Sequence, residues 1–341
     1  MDAPTVHKEL NPGEGSPGGY RPSWKRDRSD DTQKGALDLR RIPLNLVDAF
    51  SEEVLGGNPA GVVCDARGLE DWEMQRIARE VGASETAFVL ERRGDDFDVR
   101  FFTPTREVDL CGHATIALFW VLAEGGYLEP LDGRRVLYQN TRAGRLQVEV
   151  IGGRYRPEMV MMTQVPPRTI AREGWSSELR DILGIGETDV GGMPEPEIVS
   201  TGLPDLIVAL PDREYLWALR PDLSALKAYC LARDVSSVHC VTLDAESGFD
   251  AHCRDFSPAL GIPEEAATGT ASGATAAYLV STGMIPVSRD AAFLHLDLEQ
   301  GRVMDRPSRI RCEVQLCSGR PVGIRVGGPA RTFFGGEIQL G

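Results

Sequence analysis

Several things are missing from this chain of 341 residues, and each absence removes a class of function. No Gly-x-Gly-x-x-Gly turn joins a strand-like run to a helix-like one, and no Gly-x-x-x-x-Gly-Lys-[Ser/Thr] loop occurs. A nucleotide cofactor therefore has no support, and none is expected. The seven cysteines include no Cys-x-x-Cys pair, so neither a disulfide framework, a Cys/His cluster nor any other metal site is expected. Excess positive charge is lacking too: the net charge of −14 argues against a nucleic-acid or anionic-membrane partner, both of which need basic surface. The longest apolar run, Ala114 to Ala123, is far short of the about 20 residues that span a bilayer.

Residues 1–40 lack apolar periodicity and are rich in Gly, Pro, Ser, Asp, Lys and Arg, which predicts disorder. They carry no apolar core of a secretory signal, and their acidic residues disfavour a transit peptide, so a cytoplasmic location is expected. The remainder, in a chain 42% hydrophobic and 26% charged, is long enough for two cores.

What the chain does have is one statement made twice. Arg100-Phe101-Phe102-Thr103-Pro104 leads into Cys111-Gly112-His113-Ala114-Thr115, and Arg254-Asp255-Phe256-Ser257-Pro258 leads into Thr268-Gly269-Thr270-Ala271-Ser272. Each copy then enters a helix-length run, Gly112 to Glu124 and Thr270 to Thr282. The repeat predicts two similar lobes about an approximate two-fold axis, each supplying one helix N-terminus. Helix N-termini attract anions. Because the first of these helices is apolar nearly all round, a barrel-like sheet is expected to wrap it.

Strands are read at 42–50, 60–64, 86–90, 97–102, 145–151, 158–164, 197–201, 206–210, 238–243, 249–256, 310–317 and 322–336, and further helices at 69–81 and 223–232. The last strand is assigned to the first lobe by analogy.

Several ordered motifs together resemble the phenazine biosynthesis PhzF-like isomerases over roughly residues 42–340. They are Asn58-Pro59-Ala60-Gly61-Val62, Ser84-Glu85-Thr86-Ala87-Phe88-Val89, Phe102-Thr103-Pro104, Glu107 to Thr115, Arg254-x-Phe256-x-Pro258, Thr268-Gly269 and Glu299-Gln300-Gly301 with Arg306-Pro307-Ser308. The resemblance implies an α+β, diaminopimelate-epimerase-like fold. Its two lobes would be residues 41–160, completed by 324–341, and residues 161–323, each a mixed sheet around a central helix. It also implies a homodimer acting on a small molecule by cofactor-independent proton transfer. The family's catalytic glutamate falls on Glu85 and its histidine on His113, with substrate contacts at Asn58, Gly112, Thr268 and Gly269. A cleft-wall carboxylate can have its pKa raised and so serve first as base and then as acid.

The second lobe departs from that pattern. Where the family reads Glu-Asp-Pro-x-Thr-Gly-Ser, this chain reads Glu264-Glu265-Ala266-Ala267-Thr268-Gly269-Thr270. Glu265 and Thr270 are therefore the expected catalytic partners, each keeping its functional group with altered reach. Cys111 is the alternative acid/base, since a helix N-terminus lowers a thiol's pKa; its other reading is a buried, inert cysteine. Asn58 and the two glycines also have purely geometric readings, as turn residues. Two rivals to the isomerase stand: a Cys111-dependent epimerase or lyase, and a non-catalytic small-molecule binder. Deleting residues 1–40 is expected to leave the melting temperature nearly unchanged; a large fall in a thermal scan would show that the segment packs.

Overall fold

A computed structural model describes residues 39–154 and 156–341. Of the disorder expected over residues 1–40, residues 1–38 lie outside the described residues, and Arg40 is corrected to strand. The first strand, Arg40–Ala49, begins at Arg40 rather than Ile42, because its pairing with the C-terminal strand runs on through Arg41–Gln339 to Arg40–Leu340; the Arg40 guanidinium also meets the buried carboxylate of Glu73 on helix Asp71–Val81.

Two lobes carry the same strand order. In the first, Ala330–Leu340, Arg40–Ala49, Asn58–Val63, Glu85–Arg93, Asp96–Phe102, Leu131–Thr141, Gly144–Arg154 and Arg156–Thr163 lie side by side. The third and fifth of these pairings are parallel and the others antiparallel. In the second, Arg168–Arg172, Glu197–Ser200, Pro204–Ala209, Ser237–Thr242, Ala251–Ser257, Phe293–Gln300, Ile310–Cys317 and Arg320–Gly328 repeat the order, again with the third and fifth pairings parallel. A parallel step needs a crossover. Helix Asp71–Val81 makes the first one, with Arg213–Ala218 and Leu223–Arg233 in its place in the second lobe. The other crossover in each lobe is a central helix, Gly112–Glu124 or Gly269–Ser281.

Burial explains why those two helices are central. In Gly112–Glu124 every residue from His113 to Ala123 is buried, so no face is left for water and sheet must surround it. Gly269–Ser281 is buried from Ala271 to Val280, with small side chains that allow close approach. Just before each helix a short strand, Glu107–Val108 or Ile262–Glu265, pairs antiparallel with the motif strand. There a duplicated brace forms: Arg100 Nε and Nη2 reach Glu107 at 2.7 Å each, and Arg254 Nε and Nη2 reach Glu264 at 2.8 and 2.9 Å. Bidentate pairing of this kind fixes geometry as well as charge. Among the described residues no helix is long and apolar enough to cross a membrane.

The strand expected over 322–336 is two strands. Pro329 lacks an N–H and breaks the run, so Arg320–Gly328 stays in the second lobe while Ala330–Leu340 pairs with Arg40–Ala49. The lobes join where Arg325 to Gly328 pair antiparallel with Val160 to Thr163. At that seam a Cβ on Gly327 would stand 2.0 Å from the Val160 carbonyl oxygen and 2.7 Å from Met161 Cα. Backbone cannot yield there without breaking the pairing. Gly327→Ala is therefore expected to cost about 3 kcal/mol or more, read as a fall in the urea midpoint; an unchanged midpoint would show that the seam relaxes freely.

Candidate active site

The pairing registers set the two lobes in correspondence residue by residue. Thr86 pairs with Phe102 and Val238 with Phe256, so Glu85 of the first lobe matches Ser237 of the second. Glu85 lies beside Ala60 and Ser237 beside Asp205, which matches Asn58-Pro59 with Leu203-Pro204. From the two braces onward, Val108 matches Glu265, Cys111 matches Thr268 and His113 matches Thr270. The scaffold is duplicated while the chemistry is not.

Asn58 ties the two helix starts together. Its Nδ2 donates to Glu265 Oε2 at 2.6 Å and to the Ala267 carbonyl at 3.0 Å, both of the second lobe, and lies 3.4 Å from His113 Nδ1 in the first. Nδ2 cannot accept and its two hydrogens go to Glu265 and Ala267, so a hydrogen on Nδ1 would face another donor; the ring hydrogen is assigned to Nε2, toward Glu85. Nε2 faces Ser84 Oγ at 3.0 Å and Glu85 Oε2 at 3.2 Å. Glu85 Oε2 has no aligned hydrogen bond of its own among the described residues. Cys111 Sγ lies 3.4 Å from His113 Nδ1. The carboxylates expected from the sequence, Glu85 and Glu265, are thus linked through one histidine and one amide.

Burial sets the protonation states. It pushes the Glu265 carboxyl up to about 8, helped by Glu85 and Asp255 and opposed by the Asn58 hydrogen bond. Burial lowers the His113 imidazole, against the pull of Glu85, and it raises the Cys111 thiol well above its usual range, with Glu85 adding to the rise. At neutral pH Glu265 is an acid, His113 a neutral imidazole and Cys111 a thiol. With one carboxyl neutral, a site holding two can still accept an anion.

Donors for that anion come from the helix ends. Neither Cys111 nor Thr268 caps its helix with a well-formed side-chain hydrogen bond; the Ala114 N–H faces the Cys111 sulfur, and the N–H groups at the very start of each helix are the ones an anion could use. A Cβ on Gly112 would meet only Met162 Cε, at 3.7 Å, whereas one on Gly269 would meet Phe50 Cζ at 3.2 Å. Gly112 faces space and Gly269 is held close by packing. Thr270 is half-buried at the second helix start, and its carbonyl accepts from Thr201 Oγ1 at 3.1 Å.

Three positioning groups escaped the sequence reading. Ser84 meets His113. Gln300 accepts from the Thr268 N–H at 3.2 Å and donates to the Glu265 carbonyl at 2.9 Å and to Thr268 Oγ1 at 3.0 Å, so it shapes the whole approach to the second helix; Thr201 braces Thr270. Ser84 and Gln300 each stood inside a quoted motif, and only their partners reveal what they do. The absence of a Cys/His cluster, expected from spacing, is corrected at one point: Cys111 and His113 converge with Glu85, so that one ligand atom from each lies within 4.8 Å of the others. Of the cysteines, Cys64, Cys111, Cys230, Cys240, Cys253 and Cys312 are buried and Cys317 is exposed.

The fold defines a class, the isomerases and epimerases built from two pseudo-symmetric lobes that each wrap a central helix. Within it, the chain belongs to the phenazine biosynthesis-like protein family, whose family model matches residues 47–336. It is similar to an uncharacterized isomerase of Clostridium acetobutylicum, 34% identical over 306 residues that cover 89% of this chain and 99% of that one. It is also similar to the trans-2,3-dihydro-3-hydroxyanthranilate isomerase of Pseudomonas fluorescens, 33% identical across 86% of this chain and 98% of the relative. Among solved structures, the Bacillus anthracis phenazine biosynthesis protein of the PhzF family aligns with a TM-score of 0.79 at 30% identity, covering 88% of this chain and 100% of that one. The chain is an isomerase with the diaminopimelate-epimerase-like fold.

Glu265 makes stability depend on pH. Its carboxyl binds a proton more tightly when folded, about 8 against an ordinary 4.5, so its contribution is fully present below 4.5 and is lost as pH rises through about 8. Glu265→Gln, which cannot ionise, is expected to be more stable than the parent at pH 9, with the gap closing toward pH 5. Parallel melting-temperature curves across that range would show that Glu265 does not carry the effect.

Proposed function

We propose that this isomerase moves a proton between two carbons of a small metabolite bearing a carboxylate or carbonyl, without a cofactor and with Glu85 as the acid/base. The reading rests on one observation above all. Glu85 Oε2, lacking an aligned hydrogen bond, stands beside a neutral His113 at the start of the first central helix, while Glu265 of the other lobe holds a proton.

In the proposed cycle Glu85 takes a proton from a carbon next to the substrate's carbonyl or carboxylate. Charge moves onto the substrate oxygen, where the N–H groups at Gly112, Gly269 and Thr270, the His113 Nε2–H and the Glu265 acid can stabilise it. Glu85 then returns the proton to a different carbon, so the net reaction is an isomerisation. Asn58 keeps the two helix starts in register, and Thr268, held by Gln300, is a substrate contact. The Pseudomonas fluorescens relative makes trans-2,3-dihydro-3-hydroxyanthranilate the first compound to assay, and Glu265 and Thr270 are the positions at which substrate preference would shift.

The rival that uses Cys111 as a base is disfavoured by its raised thiol and by its match in the second lobe, Thr268, which supplies no opposing thiol. The test is solvent-deuterium incorporation into a panel of small carboxylic acids. Glu85→Gln is expected to cut exchange by at least about a hundredfold with binding and melting temperature nearly unchanged, while Cys111→Ala retains most of it. Near-native exchange in Glu85→Gln would remove Glu85 from the mechanism. Tight binding with no exchange by the parent would favour a binding protein.

A further inference from the structure

The convergence of Glu85, Cys111 and His113 offers a carboxylate oxygen, a sulfur and an imidazole nitrogen at one point, three different donors from two elements. His113 Nε2 is 3.2 Å from Glu85 Oε2 and 3.9 Å from Cys111 Sγ. Zinc bonds run about 2.3 Å to sulfur, about 2.0–2.1 Å to nitrogen and about 2.0–2.2 Å to oxygen, so tetrahedral ligand atoms stand about 3.4–3.6 Å apart. The two His113 separations bracket that spacing and the third lies within 4.8 Å, so small side-chain movements would bring the set onto a tetrahedral ion, with a fourth position left for water or substrate.

We propose that these residues form a binding site for a thiophilic divalent cation such as Zn²⁺, and that the ion acts as a brake by occupying the proposed base. On binding, a metal–sulfur bond replaces the S–H bond of Cys111, the thiol proton passes to solvent, and Glu85 adds the second negative charge that balances the ion. With Nε2 on the metal, the ring hydrogen moves to Nδ1. Softness selects the ion: thiolate and imidazole suit zinc or cobalt, whereas magnesium and calcium prefer all-oxygen shells.

The pseudo-symmetry supplies an internal comparison. At the matching positions of the second lobe stand Ser237, Thr268 and Thr270, three hydroxyls and no thiol, imidazole or carboxylate. The duplicated scaffold therefore carries this ligand set in one lobe only, and one ion per chain is expected.

Metal binding can be read without knowing the substrate, so the test stands apart from the isomerase assay. The full chain without a histidine tag is titrated with Co²⁺ and followed by absorbance. One equivalent is expected to develop a thiolate-to-cobalt band in the near ultraviolet with tetrahedral bands in the visible, both displaced by Zn²⁺ and insensitive to Mg²⁺. Cys111→Ser should abolish the thiolate band, and Glu85→Gln and His113→Gln should each weaken binding at least tenfold. Cys317→Ser, which removes the exposed thiol, should change nothing. No cobalt band in the parent, a band that persists in Cys111→Ser, or one lost in Cys317→Ser would overturn the proposal. If Cys111→Ser fails to fold, the Glu85→Gln and His113→Gln affinities decide the matter, and native affinity in both would overturn it.

Discussion

A helix that is apolar on every side has no face to offer to water, and that constraint organises this protein. His113 to Ala123 and Ala271 to Val280 can be covered only by sheet, so each lobe wraps its helix. A fully wrapped helix touches the outside at its ends alone. At their N-terminal ends the two helices come together, and the polar atoms of the site gather where the sheet stops. Asn58 then links both ends, spanning from His113 to Glu265 and Ala267.

Symmetry in the scaffold makes the asymmetry in the chemistry readable. Both lobes keep the Arg–Glu brace, the short strand ahead of the helix and the sequence of parallel and antiparallel pairings. Only the first places a carboxylate, a thiol and an imidazole on these supports, and only the second places a carboxyl where the first has Val108. Glu265 sits beside Asp255 in the sheet and in the field of Glu85, so like charge and burial together keep it protonated. One lobe thus supplies the group proposed to take a proton, and the other a group that already holds one.

Much of this was legible in the sequence, for reasons that differ by element. The two central helices declared themselves through unbroken apolar or small-residue runs bounded by glycine, and the motif strands through their repeated Arg-x-Phe-[Thr/Ser]-Pro. Leu131–Thr141 went unread because Gly133, Arg134 and Arg135 interrupt its alternation, and tertiary pairing overrides such local signals. Phe293–Gln300 alternates only from Leu294 to Glu299, too short a run to stand out beside the Glu299-Gln300-Gly301 motif at its end. The break at Pro329 was visible as a residue, while the transfer of the following strand to the other lobe depends on long-range pairing that no local pattern encodes. The cluster of Glu85 with Cys111 and His113 was hidden for the same reason. Metal-ligand spacings are read along the chain, and this set is assembled across a strand and a helix.

The seam between the lobes carries a mechanical consequence. Arg325 to Gly328 and Val160 to Thr163 form a continuous hydrogen-bonded ribbon from one lobe to the other, and the Arg325 guanidinium is clamped between Glu149 of the first lobe and Glu313 of the second. The lobes are sewn together along a second line too, where Arg306 of the second reaches Asp48 and the Gly56 and Gly57 carbonyls of the first. Two such lines, one of backbone and one of charge, fix the angle at which the helix starts meet.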